Sequence, residues 1–236
     1  VGKPERMHEV ARLVSGGKEK KIVVLSALSG TTNALVEIGQ SAARFNREQA
    51  QEQINKLSDH YHAFIRQLLK TEVSQQMALG IIKEHFEFLS IILRISFSES
   101  LNKDILAQGE LLSTKLFSVY LEEQGIAHVL LPALEFMSID AEDEPQLDQI
   151  RNRLIPLLAK YSDTDLFITQ GYICRNAKGE VDNLKRGGSD YTASLVAAAV
   201  HASVCEICTD IDGMHNNDPR IVKKTIPVEQ LSFFAD

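Results

Sequence analysis

The sequence predicts an α/β protein: a mostly parallel sheet sandwiched between helices, with a helical lobe around residues 45–98. Three observations carry this. Short runs rich in β-branched residues, Ile22–Ala27 and Asp165–Gln170 among them, alternate with segments of helical period, the order expected when parallel strands are joined by helices. Between Phe45 and Phe97 no such run occurs, and apolar residues step by three and four over two long stretches. Four loops rich in Gly, Ser, Thr and charge punctuate the pattern, and open α/β sheets bind ligands beyond the carboxyl ends of their strands.

The elements follow in order. Pro4–Val14 reads as a helix with Pro near its start and Met7, Val10, Ala11 and Val14 on one face. Ile22–Ala27 reads as a buried parallel strand, and Thr31–Arg44 as a helix. Ile54, Leu57, Tyr61, Phe64 and Leu68 mark one lobe helix; Ile82, Phe86, Leu89 and Leu93 mark a second. Leu101–Gln124 is a further helix, Ala127–Leu131 a strand, Leu147–Lys160 a helix despite Pro156, and Asp165–Gln170 a strand. Asn176-Ala177-Lys178-Gly179 is a hairpin turn, Ser189–His201 a helix of small residues, and Val204–Thr209 a last strand.

Composition narrows the class. Hydrophobic residues make up 44% of the 236 and charged residues 24%, as in soluble globular proteins. A net charge of −7 disfavours non-specific binding to nucleic acid or an anionic membrane. No apolar run approaches the length of a membrane span, and no signal-peptide pattern opens the chain. Three cysteines build no disulfide framework; Cys205 and Cys208 have C-x-x-C spacing but no second pair, and on a strand they face opposite ways. A reducing cytoplasm is the expected compartment.

The first of the four loops, Ser26–Asn33, lies between a strand and a helix. Free N–H groups at a helix start, with Ser and Thr hydroxyls, suit a carboxylate or phosphate; a plain N-cap has the same look. The second is Gly109-Glu110-Leu111-Leu112-Ser113-Thr114. A buried Glu110 needs a cationic partner, whether a substrate ammonium or a lysine, and a solvated one needs none. The third, Leu184–Ala193, sets Gly187-Gly188 between Arg186 and Ser189-Asp190. The glycines admit a ligand close to the backbone, Arg186 offers a planar fork for a carboxylate or phosphate, Ser189 is placed to cap the helix, and Asp190 lies in its first turn. The fourth, Thr209–Arg220, is rich in Asn, Asp and Gly; it is a turn, or a place where acidic groups hold Mg²⁺ through water.

In this order, SALSGTTN (26–33), GELLST (109–114), ITQGYI (168–173), RGGSDYTA (186–193) and TDIDGMHNNDPR (209–220) resemble the aspartate kinases of the amino-acid kinase superfamily, over almost the whole chain. The resemblance implies a carbamate-kinase-like fold and phosphoryl transfer from ATP, with Mg²⁺, to the β-carboxylate of L-aspartate, opening synthesis of lysine, threonine and methionine. It implies that Thr32 and Glu110 contact aspartate, with Glu110 at the α-ammonium, and that Arg186 holds the α-carboxylate. Gly187, Gly188 and Ser189 would line the substrate loop, and Asp190 would organise the transfer. Thr209, Asp210, His215 and Arg220 would lie at the nucleotide.

The chain departs from the family at His215, where a Tyr is frequent, and at Lys185, where a Gly is frequent. The family's opening Lys-Phe-Gly-Gly-Thr-Ser, a later segment with a further Lys and a Gly-rich turn, and the regulatory ACT domains are not in these 236 residues. Residues 1–236 are thus expected to form a kinase catalytic domain incomplete at both ends, folded but nearly inactive alone, from a homo-oligomeric parent. Two rivals stand beside this reading: a kinase for an N-acetylated amino acid, which has no use for a carboxylate at Glu110, and a non-catalytic binding partner.

Overall fold

The computed structural model describes residues 2–17, 19–95, 97–185, 187–208, 213, 215–217, 221–222 and 224–229. The chain divides into two compact units, residues 1–203 and 204–236.

The first unit holds the elements α1 (Pro4–Val14), β1 (Lys21–Leu25), α2 (Thr31–Ala43), α3 (Arg47–Leu68), α4 (Glu72–Ile92), α5 (Glu99–Glu123) and β2 (Val129–Leu131), then a 3₁₀ turn at Ala133–Glu135. It continues with α6 (Leu147–Ala159), β3 (Leu166–Gln170), β4 (Ile173–Arg175), β5 (Val181–Asn183) and α7 (Gly188–Val200). The sheet has the order β1-β3-β2, with both ladders parallel and Leu25 in register with Gln170. β4 and β5 form the antiparallel hairpin expected around the turn at 176–179.

The central strand β3 is buried along its whole length. Its side chains alternate as a pleated strand requires: Leu166 and Ile168 join a core built with α1 to α5, while Phe167 joins one built with α6 and α7. The sheet is therefore covered on both faces, as predicted. β1 differs from the reading as a buried strand. Among the described residues it is paired on one side, it is mostly half-buried, and it stops at Leu25, leaving Ser26 and Ala27 to the loop.

The lobe is the α3–α4 hairpin, which shares the core of α2 and α5 through Ile54, Tyr61, Phe64, Ile82, Phe86 and Leu89. Its helices have side-chain caps: Asn46, Thr71 and Ser98 accept from the backbone N–H groups of Gln49, Ser74 and Leu101 at the starts of α3, α4 and α5. The helices α2 and α7 begin differently, on Gly30 and Gly187 in the left-handed region (φ 83° and 76°) with no side-chain cap. Glycine is the residue that turns a chain into a helix through that region without Cβ strain. The leading N–H groups of these two helices thus have no capping side chain.

In the second unit the expected strand at 204–209 is not found over its described residues. Residues 204–208 are irregular and mostly exposed, because no described residue supplies them a ladder partner; Thr209 lies outside the described residues. Cys205 and Cys208 are accordingly free and exposed rather than set on two faces of a strand. His215 pairs across a short bridge with Pro227, and its Nδ1 lies 2.8 Å from Thr225 Oγ1.

Candidate active site

The parallel pairing of β1 with β3 puts the loops that follow them on one edge of the sheet. Gly171 N–H donates to Leu25 O at 2.9 Å, carrying the ladder one step past the strands. The start of α7 packs against this point. A Cβ on Gly171 would lie 2.6 Å from Ser189 Cβ, and one on Gly188 would lie 2.8 Å from Tyr172 Cδ2. Tyr172 N–H donates to Thr192 Oγ1 at 3.0 Å, and that hydroxyl donates to Gly188 O at 2.7 Å.

From the other side comes α5. Its stretch at 109–114 lies in the middle of the helix, as the helix predicted over Leu101–Gln124 requires, and not in a loop at the end of a strand. Glu110, Ser113 and Thr114 fall on one face by the i, i+3, i+4 rule. Ser113 Oγ donates to Ser26 O at 2.7 Å, and Thr114 Oγ1 accepts from Gln170 Nε2 at 2.8 Å. Gly109 permits the approach, since a Cβ there would sit 2.9 Å from that of Ala27.

Glu110 is 3% exposed. Its Oε1 accepts from Ala27 N–H at 3.3 Å, while Oε2 has no hydrogen-bond partner. Among the described residues no lysine or arginine forms an ion pair with it. Burial pushes its carboxyl up to about 7. Two phenols share its field: burial foremost, then the Glu110 charge, pushes Tyr172 up to about 12, and Tyr61 is raised by burial together with the same charge.

Thr32 is the second residue of α2 and is exposed; its neighbour Thr31 is buried, with Oγ1 3.1 Å from Tyr61 Oη on α3. At α7, Gly187 is the N-cap, Gly188 is buried, Ser189 is half-buried and Asp190 is exposed in the first turn. Ser189 is the second helical residue rather than the cap, because Gly187 already makes the turn. Arg186, Thr209, Asp210 and Arg220 lie outside the described residues. The first unit thus brings Thr32, Glu110, Gly187, Gly188, Ser189 and Asp190 to the loops at one end of the sheet, while His215 belongs to the second unit.

Sequence reasoning passed over Tyr172 and the Thr31–Tyr61 pair. Tyr172 carried one signal, an aromatic next to Gly at the end of an apolar run, and it adopts φ 66° there. Lys185, in place of the frequent Gly, also has positive φ (62°). Its ammonium reaches Asp143 Oδ2 at 2.9 Å, an exposed pair worth little against a left-handed residue that costs about 1–2 kcal/mol.

This end of the sheet gathers two helix starts without side-chain caps and one buried carboxylate that has no cationic partner among the described residues. It suits a small ligand with anionic ends and a single ammonium. Among the described residues no cluster of three or more His, Cys, Asp or Glu side chains forms a metal cradle, and no helix is long and apolar enough to cross a membrane.

Comparison with known proteins gives the same direction. The model of the amino acid kinase family matches residues 1–233. The chain is 29% identical to lysine-sensitive aspartokinase 3 of Escherichia coli over 97% of its own length and 51% of that protein. It is 31% identical to the chloroplastic aspartokinase 1 of Arabidopsis thaliana over 99% of its length and 42% of the relative. Among solved structures, E. coli aspartokinase III in complex with aspartate and ADP superposes with a TM-score of 0.78 at 28% identity, covering 96% of this chain and 51% of that one. The aspartate kinase of Clostridium acetobutylicum, at 18% identity and a TM-score of 0.71 over 96% of this chain and 49% of that one, shares the fold. The chain spans about half the length of the curated relatives it matches.

Proposed function

Since this chain belongs to the amino acid kinase family, we propose that it carries the aspartate-binding machinery of an aspartate kinase, transferring the γ-phosphoryl group of ATP to the β-carboxylate of L-aspartate. The observation that carries this reading is Glu110: a buried carboxylate with one oxygen unpartnered, held against the loop after β1. A zwitterionic amino acid supplies the missing ammonium. An N-acetylated substrate has none, and would leave the carboxylate buried and uncompensated.

The residues then divide the work. Glu110 takes the α-ammonium, Arg186 the α-carboxylate, and Thr32 with Gly187, Gly188 and Ser189 shapes the place where the β-carboxylate turns toward the nucleotide. That nucleophile is already ionised at neutral pH, with a pKa near 4, so no general base is required. Catalysis is positioning and charge neutralisation, the N–H groups at the starts of α2 and α7 facing anionic oxygens, with Asp190 organising the transfer. Mg²⁺ enters as part of the Mg-ATP substrate. Thr209, Asp210, His215 and Arg220 are assigned to the nucleotide by resemblance alone. A cytoplasmic location and a homo-oligomeric parent belong to the same reading.

The test is a phosphoryl-transfer assay that traps the acyl phosphate with hydroxylamine, run with a version of the chain extended by the Lys-Phe-Gly-Gly-Thr-Ser segment. Glu110→Gln and Arg186→Lys should each lower kcat/KM for aspartate tenfold or more, about 1.4 kcal/mol, and leave the Kd for ATP unchanged. Loss of ATP binding with an unchanged aspartate KM would contradict the assignment.

A further inference from the structure

We infer that Lys103 is a positioning residue for amino-acid binding: from α5 it sets the loop that carries Arg186 in register with Glu110. The inference deepens the function proposed above and rests on its assignment of Arg186 to the α-carboxylate. Lys103 Nζ donates to Asp182 Oδ1 at 2.5 Å, joining α5 to β5. These two side chains are 21% and 15% exposed, whereas every other ion pair among the described residues joins side chains more than half exposed. Exposed pairs are screened by water and worth little. A shielded pair holds its geometry, because either partner left alone is a poorly solvated charge.

What the pair holds is the approach to α7. Asp182 Oδ1 also accepts from Asn183 N–H at 2.7 Å, and Asn183 Oδ1 accepts from Lys185 N–H at 3.2 Å. Leu184 N–H donates to Tyr172 O at 2.8 Å, and Gly188 N–H donates to Lys185 O at 3.1 Å. Asn183 is buried, and Lys185 sits at φ 62°, a conformation that needs such support in a residue other than glycine. One hydrogen-bonded relay thus runs from the Lys103 ammonium through Asp182, Asn183 and Lys185 to the first turn of α7. Arg186 is the next residue in the chain after Lys185.

The relay starts on the helix that carries Glu110. Seven residues, two turns, separate Lys103 from Glu110, so both lie on one face of α5, about 10 Å apart along its axis. Glu110 is held without Lys103, by the packing of Gly109 on Ala27 and by the Ala27 N–H. One rigid helix therefore presents the reader of an ammonium and, two turns earlier, the anchor of the loop whose arginine reads a carboxylate. In an α-amino acid those two groups are a fixed distance apart, and a misplacement of about 1 Å at such a site can cost on the order of 100-fold. Releasing Lys103 leaves Glu110 in place and frees the loop, so amino-acid binding weakens without being abolished.

Calorimetric titration with L-aspartate in the presence of Mg-ADP tests this on Lys103→Met, Lys103→Arg and Asp182→Asn, with Lys103→Met also made in an Arg186→Lys chain. Thermal unfolding fixes a temperature at which every variant is folded. Lys103→Met should raise the Kd for aspartate about fivefold or more. So should Asp182→Asn, a milder change that keeps an acceptor for the Asn183 N–H. Lys103→Arg, which keeps the charge and the donor, should stay within about twofold of the unmodified chain. In the Arg186→Lys chain, Lys103→Met should add less than about twofold, since the group it positions is already impaired. Losses that multiply in full there would mean that Lys103 supports the fold alone, and would overturn the inference. Unchanged affinity in both Lys103→Met and Asp182→Asn, beside an Arg186→Lys chain that is weakened, overturns it while leaving the proposed function standing. Unchanged affinity in Arg186→Lys itself removes the assignment of Arg186, and the inference with it.

Discussion

At the scale of single residues, Glu110 gives the clearest handle, because its burial has a sign. Its carboxyl is raised from 4.5 to about 7 in the folded chain, so between those values the unfolded chain has lost the proton while the folded chain keeps it. Glu110's own contribution to stability is therefore most favourable below pH 4.5, falls as the pH rises toward 7, and carries the full penalty above that. Glu110→Gln removes the titration. In urea unfolding without ligand it should gain on the unmodified chain by on the order of 2–3 kcal/mol between pH 4 and pH 8. Substrate reverses the preference, because an ammonium pairs with the ionised form. In the phosphoryl-transfer assay, kcat/KM for aspartate should climb as the pH rises through about 7, and Glu110→Gln should lose that limb. Little of this was legible beforehand. A lone Glu on a helix reads as a surface group, and it is the approach of α5 at Gly109 to Ala27 that buries it. Lys185 shows the converse: its departure from Gly was plain in the sequence, while its positive φ required the structure.

Among elements, the contacts that bring α7 and α2 to the sheet edge are steric and specific. Gly171→Ala would place a methyl 2.5 Å from Ser189 Oγ and 2.8 Å from its Cα, pushing the start of α7 off the end of β3. Overpacking of this kind costs about 1–3 kcal/mol, and aspartate affinity should fall further than stability, since Ser189 moves with the helix. Calorimetric titration beside thermal unfolding separates the two. Tyr61→Phe removes the buried hydroxyl facing Thr31 Oγ1 and should cost about 1 kcal/mol in urea unfolding. The helices were readable because their stripes are long: α3, α4 and α5 begin within two residues of a capping Asn, Thr or Ser. The run at 204–208 was not, because a β-branched pattern becomes a strand only where a ladder partner exists, and none of the described residues provides one. β1 was overread for a related reason. An apolar run does not say whether a strand is central or at an edge.

For the whole molecule, the alternation of strands and helices was enough to give a parallel sheet covered on both faces. What it could not give was convergence: the first loop, the middle of α5 and the start of α7 follow one another at intervals of about 80 residues along the chain, and only the β1–β3 pairing and the packing of α5 bring them to one end. In the function proposed above, this convergence reads the charged head of free aspartate. Calorimetric titration of the chain at pH 8 with L-aspartate and with its N-acetylated analogue, in the presence of Mg-ADP, tests it most directly. L-Aspartate should bind at least tenfold more tightly, about 1.4 kcal/mol, and Glu110→Gln should erase most of that preference. Equal binding of the two ligands by the unmodified chain, or a preference for aspartate that survives Glu110→Gln intact, would contradict it.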